Sequence, residues 1–385
     1  MTDARTGRTR TLAIALAALV AALVIAACGD SDTVGGGSDE DVQTAKGGKA
    51  SGSVTISNWP GYIDPGKNGT VNEFEEKTGI SLEYIEDVND NNQFFGKMKP
   101  LLDQGQSGGR SMFVVTDWMA KQMHDLGYLQ DIDYADVPTV EKNISDIARE
   151  SVADPGRKFT IPWQSGLTGL WVDTKKAPDI RSINDLFDPK YKGKVTFLLE
   201  MRDTVPMVMM ADGVDPETAS KQDWLDAIDK INKATDSGQV RRWTGNEYTE
   251  DLTAGNAVAS IGWSGDASLI GNPNAEWRKP TEGCTVFTDS MVIPVGAPNS
   301  PAALEWADFA YQPEVAADLA AYITYFTPVD GAKEVLQKSD PASANNPLIF
   351  PSEKFLEGCV AQPEPPGGPE DVQEVTDAFA DATTG

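Results

Sequence analysis

Apolar and polar positions along the chain follow two rhythms. Short apolar or β-branched runs at Ser53–Asn58, Ser81–Glu86 and Met112–Val115 read as strands. Between and after them, helical spacing covers Thr70–Lys77, stopped by Gly79, and Gln93–Gln104 despite Pro100. It also covers Asp117 to Leu126, with Asp117 as a candidate cap and Gly127 at the end. A second region of the same kind opens near Ile161. Leu170–Val172, Val195–Leu199, Val240–Arg242, Ala257–Gly262 and Ser290–Val295 read as strands. Thr204–Met210, Gln222–Ala234, Ala302–Ala310, Val315–Tyr322 and Ala332–Gln337 read as helices. Strands alternating with helices over short connections predict an α/β fold, with parallel sheet covered by helices. At 385 residues the chain is long enough for two domains.

The ends depart from this rhythm. Arg5, Arg8 and Arg10 precede an apolar run from Leu12 to Ala27, too short to span a bilayer comfortably and laid out as an export signal. The run closes on Ile25-Ala26-Ala27-Cys28, which resembles the lipobox of bacterial lipoproteins, so 1–28 is expected to be removed at Cys28 and that cysteine lipidated. Residues 29–52, rich in Gly, Ser and Asp, read as a flexible tether. Residues 363–385 open on the proline-rich PEPPGGP and are expected to be a surface-bound or mobile tail.

Composition narrows the partners. A formal charge of −27 argues against nucleic acid, which needs concentrated Lys and Arg, and is compatible with a cationic ligand. With Cys28 assigned to lipid, Cys284 and Cys359 remain as an even pair in an exported chain. They read as a disulfide or as two buried thiols.

Candidate chemistry gathers where strands end, the edge at which open α/β sheets bind ligands. Trp59 and Tyr62 follow the first strand, and Thr116, Asp117 and Trp118 the third. Glu200 and Asp203 follow Val195–Leu199, Trp263 and Asp266 follow Ala257–Gly262, and Tyr325 lies between two late helices. Aromatic faces attract ammonium groups and cover methylenes, and carboxylates accept charge-assisted hydrogen bonds. Such a lining fits a cationic, partly aliphatic ligand. Each residue also has a structural reading: Trp263 as core, Glu200 and Asp203 as helix-start acids, Arg202 as a local neutraliser of one of them, Asp117 as a cap. Glu200 and Asp203 further admit an acid–base pair in a hydrolase, although carboxylates three apart rarely face each other across a sugar.

The segments ISNWPGYI, FEEKTGISLEYIE, IPWQSGLTGLWVD, IGWSGDASL, FTDSMVIPVGA and YFTPV stand in an order that resembles the bacterial spermidine/putrescine-binding proteins of ABC importers. The likeness runs from about Ser53 to Glu353. It implies a two-lobed periplasmic-binding-protein fold of type II with the ligand cleft between lobes joined by hinge crossings. It implies ligand contacts from Trp59, Tyr62, Trp118, Glu200, Asp203, Trp263, Asp266, Phe287, Asp289 and Tyr325, with no catalysis, cofactor or metal. The partners implied are a polyamine, an ABC permease and its ATPase, met by a monomer lipid-anchored at the extracytoplasmic face of the cell membrane. The first lobe is expected over 53–153 plus 291–321, the second with the hinge over 161–287 plus 322–362, each with its own sheet. Pro60-Gly61 departs from the family, which has a hydroxyl residue and an acid there, and leaves the length of the ligand open. A solute-binding protein for a sugar or another organic cation is the alternative.

Overall fold

Two long strands, Ile161–Asp173 and Cys284–Val292, run side by side through the middle of the molecule. The structure is a computed structural model that describes residues 43–384. The expected signal, Cys28 and the first part of the expected tether lie outside the described residues. In chain order the strands among the described residues are β1 (Thr44–Ala45), β2 (Ser53–Asn58), β3 (Ser81–Glu86), β4 (Met112–Thr116), β5 (Asp131–Ile132) and β6 (Ile161–Asp173). They continue as β7 (Val195–Leu198), β8 (Val240–Thr244), β9 (Ala259–Trp263), β10 (Ala275–Arg278), β11 (Cys284–Val292) and β12 (Cys359–Ala361).

The order β3-β2-β4-β11-β6-β9-β7-β8 joins two parallel groups through an antiparallel centre. In the first group β2 pairs in parallel with β3 and β4; in the second, β7 pairs in parallel with β8 and β9. β11 lies antiparallel to β4 through Asp289–Val292 and to β6 over almost its whole length, while β6 pairs with β9 through Thr168–Val172. Hydrogen bonding is therefore continuous from one lobe to the other, which corrects the expectation of two separate sheets. Two of the crossings, β6 and β11, are themselves paired strands. Gly166 and Gly169 interrupt the apolar pattern of β6, so only Leu170–Val172 near its end read as a strand from sequence.

Helices cover both groups with faces that the helical period predicts. Asn91–Leu102 buries Phe94, Met98 and Leu102, and Lys221–Asp236 buries Trp224, Ala227, Ile228 and Ile231 behind a capping box of Ser220 and Asp223. The cap of Asp117–Asp125 is Thr116, not Asp117, which opens the helix.

Three segments sit differently from expectation. From Gln43 onward the chain is laid on the body: β1 pairs with β5 and Ala45 is buried, which corrects the tether expected there for residues 43–52. The segment 322–362 divides. Helix Ala332–Ser339 packs on Pro313–Ile323, and Val329 bridges Ile144, whereas Lys279 in the second lobe donates to the carbonyls of Phe355 and Glu357. Last, Pro369–Thr383 is a docked helix with Val375, Phe379 and Ala382 buried. Phe379 lies edge-on to Trp243 at 5.6 Å, a contact worth about 0.5–1.5 kcal/mol beyond area. Lys221 pairs with Asp371 and Glu374 at its start. Cys284 and Cys359 are register partners in β11 and β12 and form a disulfide, with Cα atoms 4.4 Å apart.

Candidate functional site

At the end of β2 the chain turns sharply into Trp59, whose N–H donates to the Asn58 side chain at 2.8 Å. Tyr84 of β3 braces this turn, donating to the Trp59 carbonyl and accepting from the Tyr62 N–H. Gly61 sits at φ +65, and a Cβ there would lie 2.7 Å from Leu269 of the opposite lobe. The left-handed backbone favours glycine here, and a side chain would also have to displace the end of Leu269. Pro60 contributes surface without a donor, so the family's polar pair has no substitute at this wall.

The other strand ends bring carboxylates. Beyond β9, Asp266 accepts from Tyr248 at 2.5 Å, Tyr325 at 2.7 Å and Asn246 at 2.9 Å. Gly265 beside it lets the Tyr325 ring lie where a side chain would stand. Beyond β7, Glu200 accepts from the backbone and side chain of Asn91 at 2.6 and 2.9 Å. One turn on, Asp203 accepts from Trp263 Nε1 at 2.9 Å, Thr168 at 2.7 Å, Gln362 at 2.6 Å and Thr285 at 3.3 Å. The two-residue period of β11 sets Thr285, Phe287 and Asp289 on the cleft face. There Asp289 accepts from Thr116 at 2.8 Å and Tyr62 at 3.0 Å.

These groups line one cleft of about 380 Å³ of space between atoms, part of it open to solvent. It brings together the expected Trp59, Tyr62, Thr116, Glu200, Asp203, Trp263, Asp266, Phe287, Asp289 and Tyr325. Trp59 meets Trp263 edge-on at 5.6 Å from the other lobe, and Tyr62 meets Tyr325 at 4.9 Å. Pro60, Asn91, Asn246 and Gln362 complete the lining, and no Lys, Arg or His among the described residues contributes to it. Asn246 follows the end of β8 and obeys the same strand-end rule as the others. Asn91 lies two residues before the helix read over Gln93–Gln104 and was not singled out, and Gln362 carried no signal.

Two expected residues are elsewhere. Asp117 turns away from the cleft to pair with Arg157 at 3.0 Å, accepting also from Ser151 and Ser290. Trp118 does not line the cleft, because the Arg202 guanidinium covers its ring at 3.7 Å. Nor does Arg202 neutralise Glu200 or Asp203: its ion pair is with Glu364, at 2.6 Å.

Burial dominates the electrostatics. It pushes Asp266 up to about 6 against hydrogen bonds from Tyr248, Tyr325 and Asn246, and Asp289 up to about 7 against those from Thr116 and Tyr62. Burial also raises Asp203, and it holds Glu200 well above the usual carboxylate range, with the charges of Asp90 and Asp203 pushing the same way. Four acids thus face one cleft with neutral donors and no countercharge. Glu200 and Asp203 lie on one turn of one lobe, not on opposite sides of a substrate as glycoside hydrolysis requires.

The model of the family described as bacterial extracellular solute-binding protein matches residues 69–351. The spermidine/putrescine-binding periplasmic protein 1 of Haemophilus influenzae is 24% identical over 340 residues, spanning 87% of this chain and 89% of that protein. The spermidine/putrescine ABC transporter substrate-binding protein PotD from Streptococcus pneumoniae superposes with a TM-score of 0.67 at 24% identity, covering 86% of this chain and 98% of that one. The Tp0655 (TpPotD) lipoprotein of Treponema pallidum superposes at 0.70 with 18% identity, covering 86% and 99%. Crossing strands, an interlobe cleft and a match over most of the sequence agree, and the chain belongs to the bacterial extracellular solute-binding protein family.

Proposed function

We propose that this protein captures a polyamine in the interlobe cleft and delivers it to the membrane subunits of an ABC importer. One observation carries the reading: four buried carboxylates and several aromatic rings share a cleft with no basic side chain in its lining. A buried charge without a partner is costly, and a ligand that brings ammonium groups on a methylene chain removes that cost while its chain lies against the rings. The names of the relatives in Haemophilus influenzae and Streptococcus pneumoniae support the same ligand class.

The site residues are assigned roles on this reading. Asp266, Asp289 and Glu200 receive ammonium groups; Trp59, Trp263, Tyr62, Phe287 and Tyr325 wall the chain; Thr116 and Asp203 orient their neighbours. The remaining partners are a permease with its ATPase, met by a monomer held at the extracytoplasmic face through lipid on Cys28.

Thermal unfolding with putrescine, spermidine, a disaccharide and ferric citrate tests the ligand. A ligand at 100 times its dissociation constant adds about 2.7 kcal/mol, so a polyamine raises the melting temperature and the others do not. Stabilisation by the disaccharide or ferric citrate alone refutes the reading. For the anchor, Cys28→Ala is expected to move the protein from the membrane to the soluble fraction.

A further inference from the structure

Behind the cleft lies a second grouping of an aromatic face and a carboxylate, already holding a cation. The Arg202 guanidinium rests 3.7 Å from the centre of the Trp118 ring and donates to Glu364 at 2.6 Å. Arg202 is only 5% exposed, while the Glu364 side chain is 56% exposed, so the cation is buried and its counterion stands at the surface. Arg202 Nε and Trp118 Nε1 are buried without a hydrogen-bond partner among the described residues. Such orphaned donors are uncommon in a packed core, and here both belong to one cluster.

Sequence places this cluster against the cleft wall from three directions. Thr116 lines the cleft, and Trp118, two residues on, meets Arg202. Glu200 and Asp203 line it, and Arg202 stands between them in sequence. Gln362 lines it, and Glu364, two residues on, holds the guanidinium. All three segments thus contribute both to the cleft lining and, within two residues, to the cluster. The chemistry is also repeated, since an indole with an acid beside it is what Trp263 and Asp266 offer within the cleft.

We propose that Trp118 and Glu364 form a distal ammonium subsite that the chain fills with its own Arg202, so that the cleft accepts a short diamine and excludes a longer polyamine. The inference rests on the polyamine reading of the cleft. A third ammonium reaching past Glu200 meets a fixed positive charge on the aromatic face it needs, where a desolvated cation–aromatic contact is already made.

Calorimetric titration of the full chain with putrescine and spermidine, in the wild type and in Arg202→Met and Arg202→Gln, tests this. The wild type is expected to prefer putrescine by about tenfold or more, and in either variant the spermidine-to-putrescine affinity ratio rises by about tenfold. Arg202→Gln keeps a donor for Glu364 should Arg202→Met fail to fold. A wild type that prefers spermidine, or an unchanged ratio in a folded variant, overturns the proposal while leaving the polyamine reading intact. A wild type that binds neither amine overturns both.

Discussion

Trp263 donates its indole N–H to Asp203 across 2.9 Å, and three further donors fill the other oxygen of the same carboxylate. On the proposed reading, Asp203 therefore acts on the ligand chiefly by fixing the plane of an aromatic wall. Asp203→Asn is expected to weaken polyamine binding about tenfold and to lower stability by about 1–3 kcal/mol, because an amide leaves buried donors unmatched. Trp263→Ala is expected to cost at least as much affinity. On the Trp263→Ala background, Asp203→Asn adds little further loss; full additivity in calorimetry would contradict this coupling.

Asp266 and Asp289 give the protein a pH dependence of definite sign. Their folded-state values, about 6 and about 7, stand above the ordinary carboxylate value. In the free protein the stability they contribute is present at low pH and is lost as pH rises through those values. Bound ammonium groups favour the charged forms, so the rise in melting temperature given by putrescine grows between about pH 5 and about pH 8. Binding also releases protons at about pH 6.5, measurable in buffers of different ionisation enthalpy. A constant increment over that range would exclude the assignment. Asp266→Asn is expected to reduce affinity about ten- to a hundredfold.

Asp117 supports the fold. Arg157 is 2% exposed and makes its ion pair with this residue. Arg157→Met strands a largely buried charge and is expected to destabilise by about 3 kcal/mol. Asp117→Ala lowers stability in the same assay, while the affinity of the remaining folded protein for putrescine changes by less than about threefold. A selective loss of affinity at unchanged stability would return Asp117 to the ligand.

The disulfide between Cys284 and Cys359 closes a loop of 75 residues. A loop of that length corresponds to about 4 kcal/mol in the chain-entropy account. Replacing both cysteines by Ser is expected to lower the unfolding free energy by about 2–4 kcal/mol in chemical denaturation. Equal midpoints for the two proteins would show that the bond adds no stability.

How much of this was legible depends on what a strand end reveals. Trp59, Trp263 and Asp266 were readable because aromatic and acidic residues occupy places where turn residues are usual. Position alone does not give the direction of a side chain. Asp117 and Trp118 stand at an equally good strand end, yet the helix that begins there turns one toward Arg157 and offers the other to Arg202, both distant in sequence. The crossing strands were half hidden, since Gly166 and Gly169 break the pattern of β6 while its partners supply the pairing. The C-terminal segment is surface-bound, one of the two states expected of it, but its helix went unread behind the prolines, although Val375, Phe379 and Ala382 have helical spacing.

The pairing of β11 with β6 loses register between Asp289 and Ser290, opposite the stretch where Pro162 has no N–H to give. The interruption falls between β11 and β6 alone, because β11 keeps its pairing with β4 through Asp289 and Ser290. It lies in the pair of strands that crosses between the lobes, at the residue whose carboxylate faces the cleft. On the proposed reading, Asp289 would therefore serve both as a ligand carboxylate and as the residue at the flexure, so that taking up an ammonium group and bending the crossing strands would be coupled through one position.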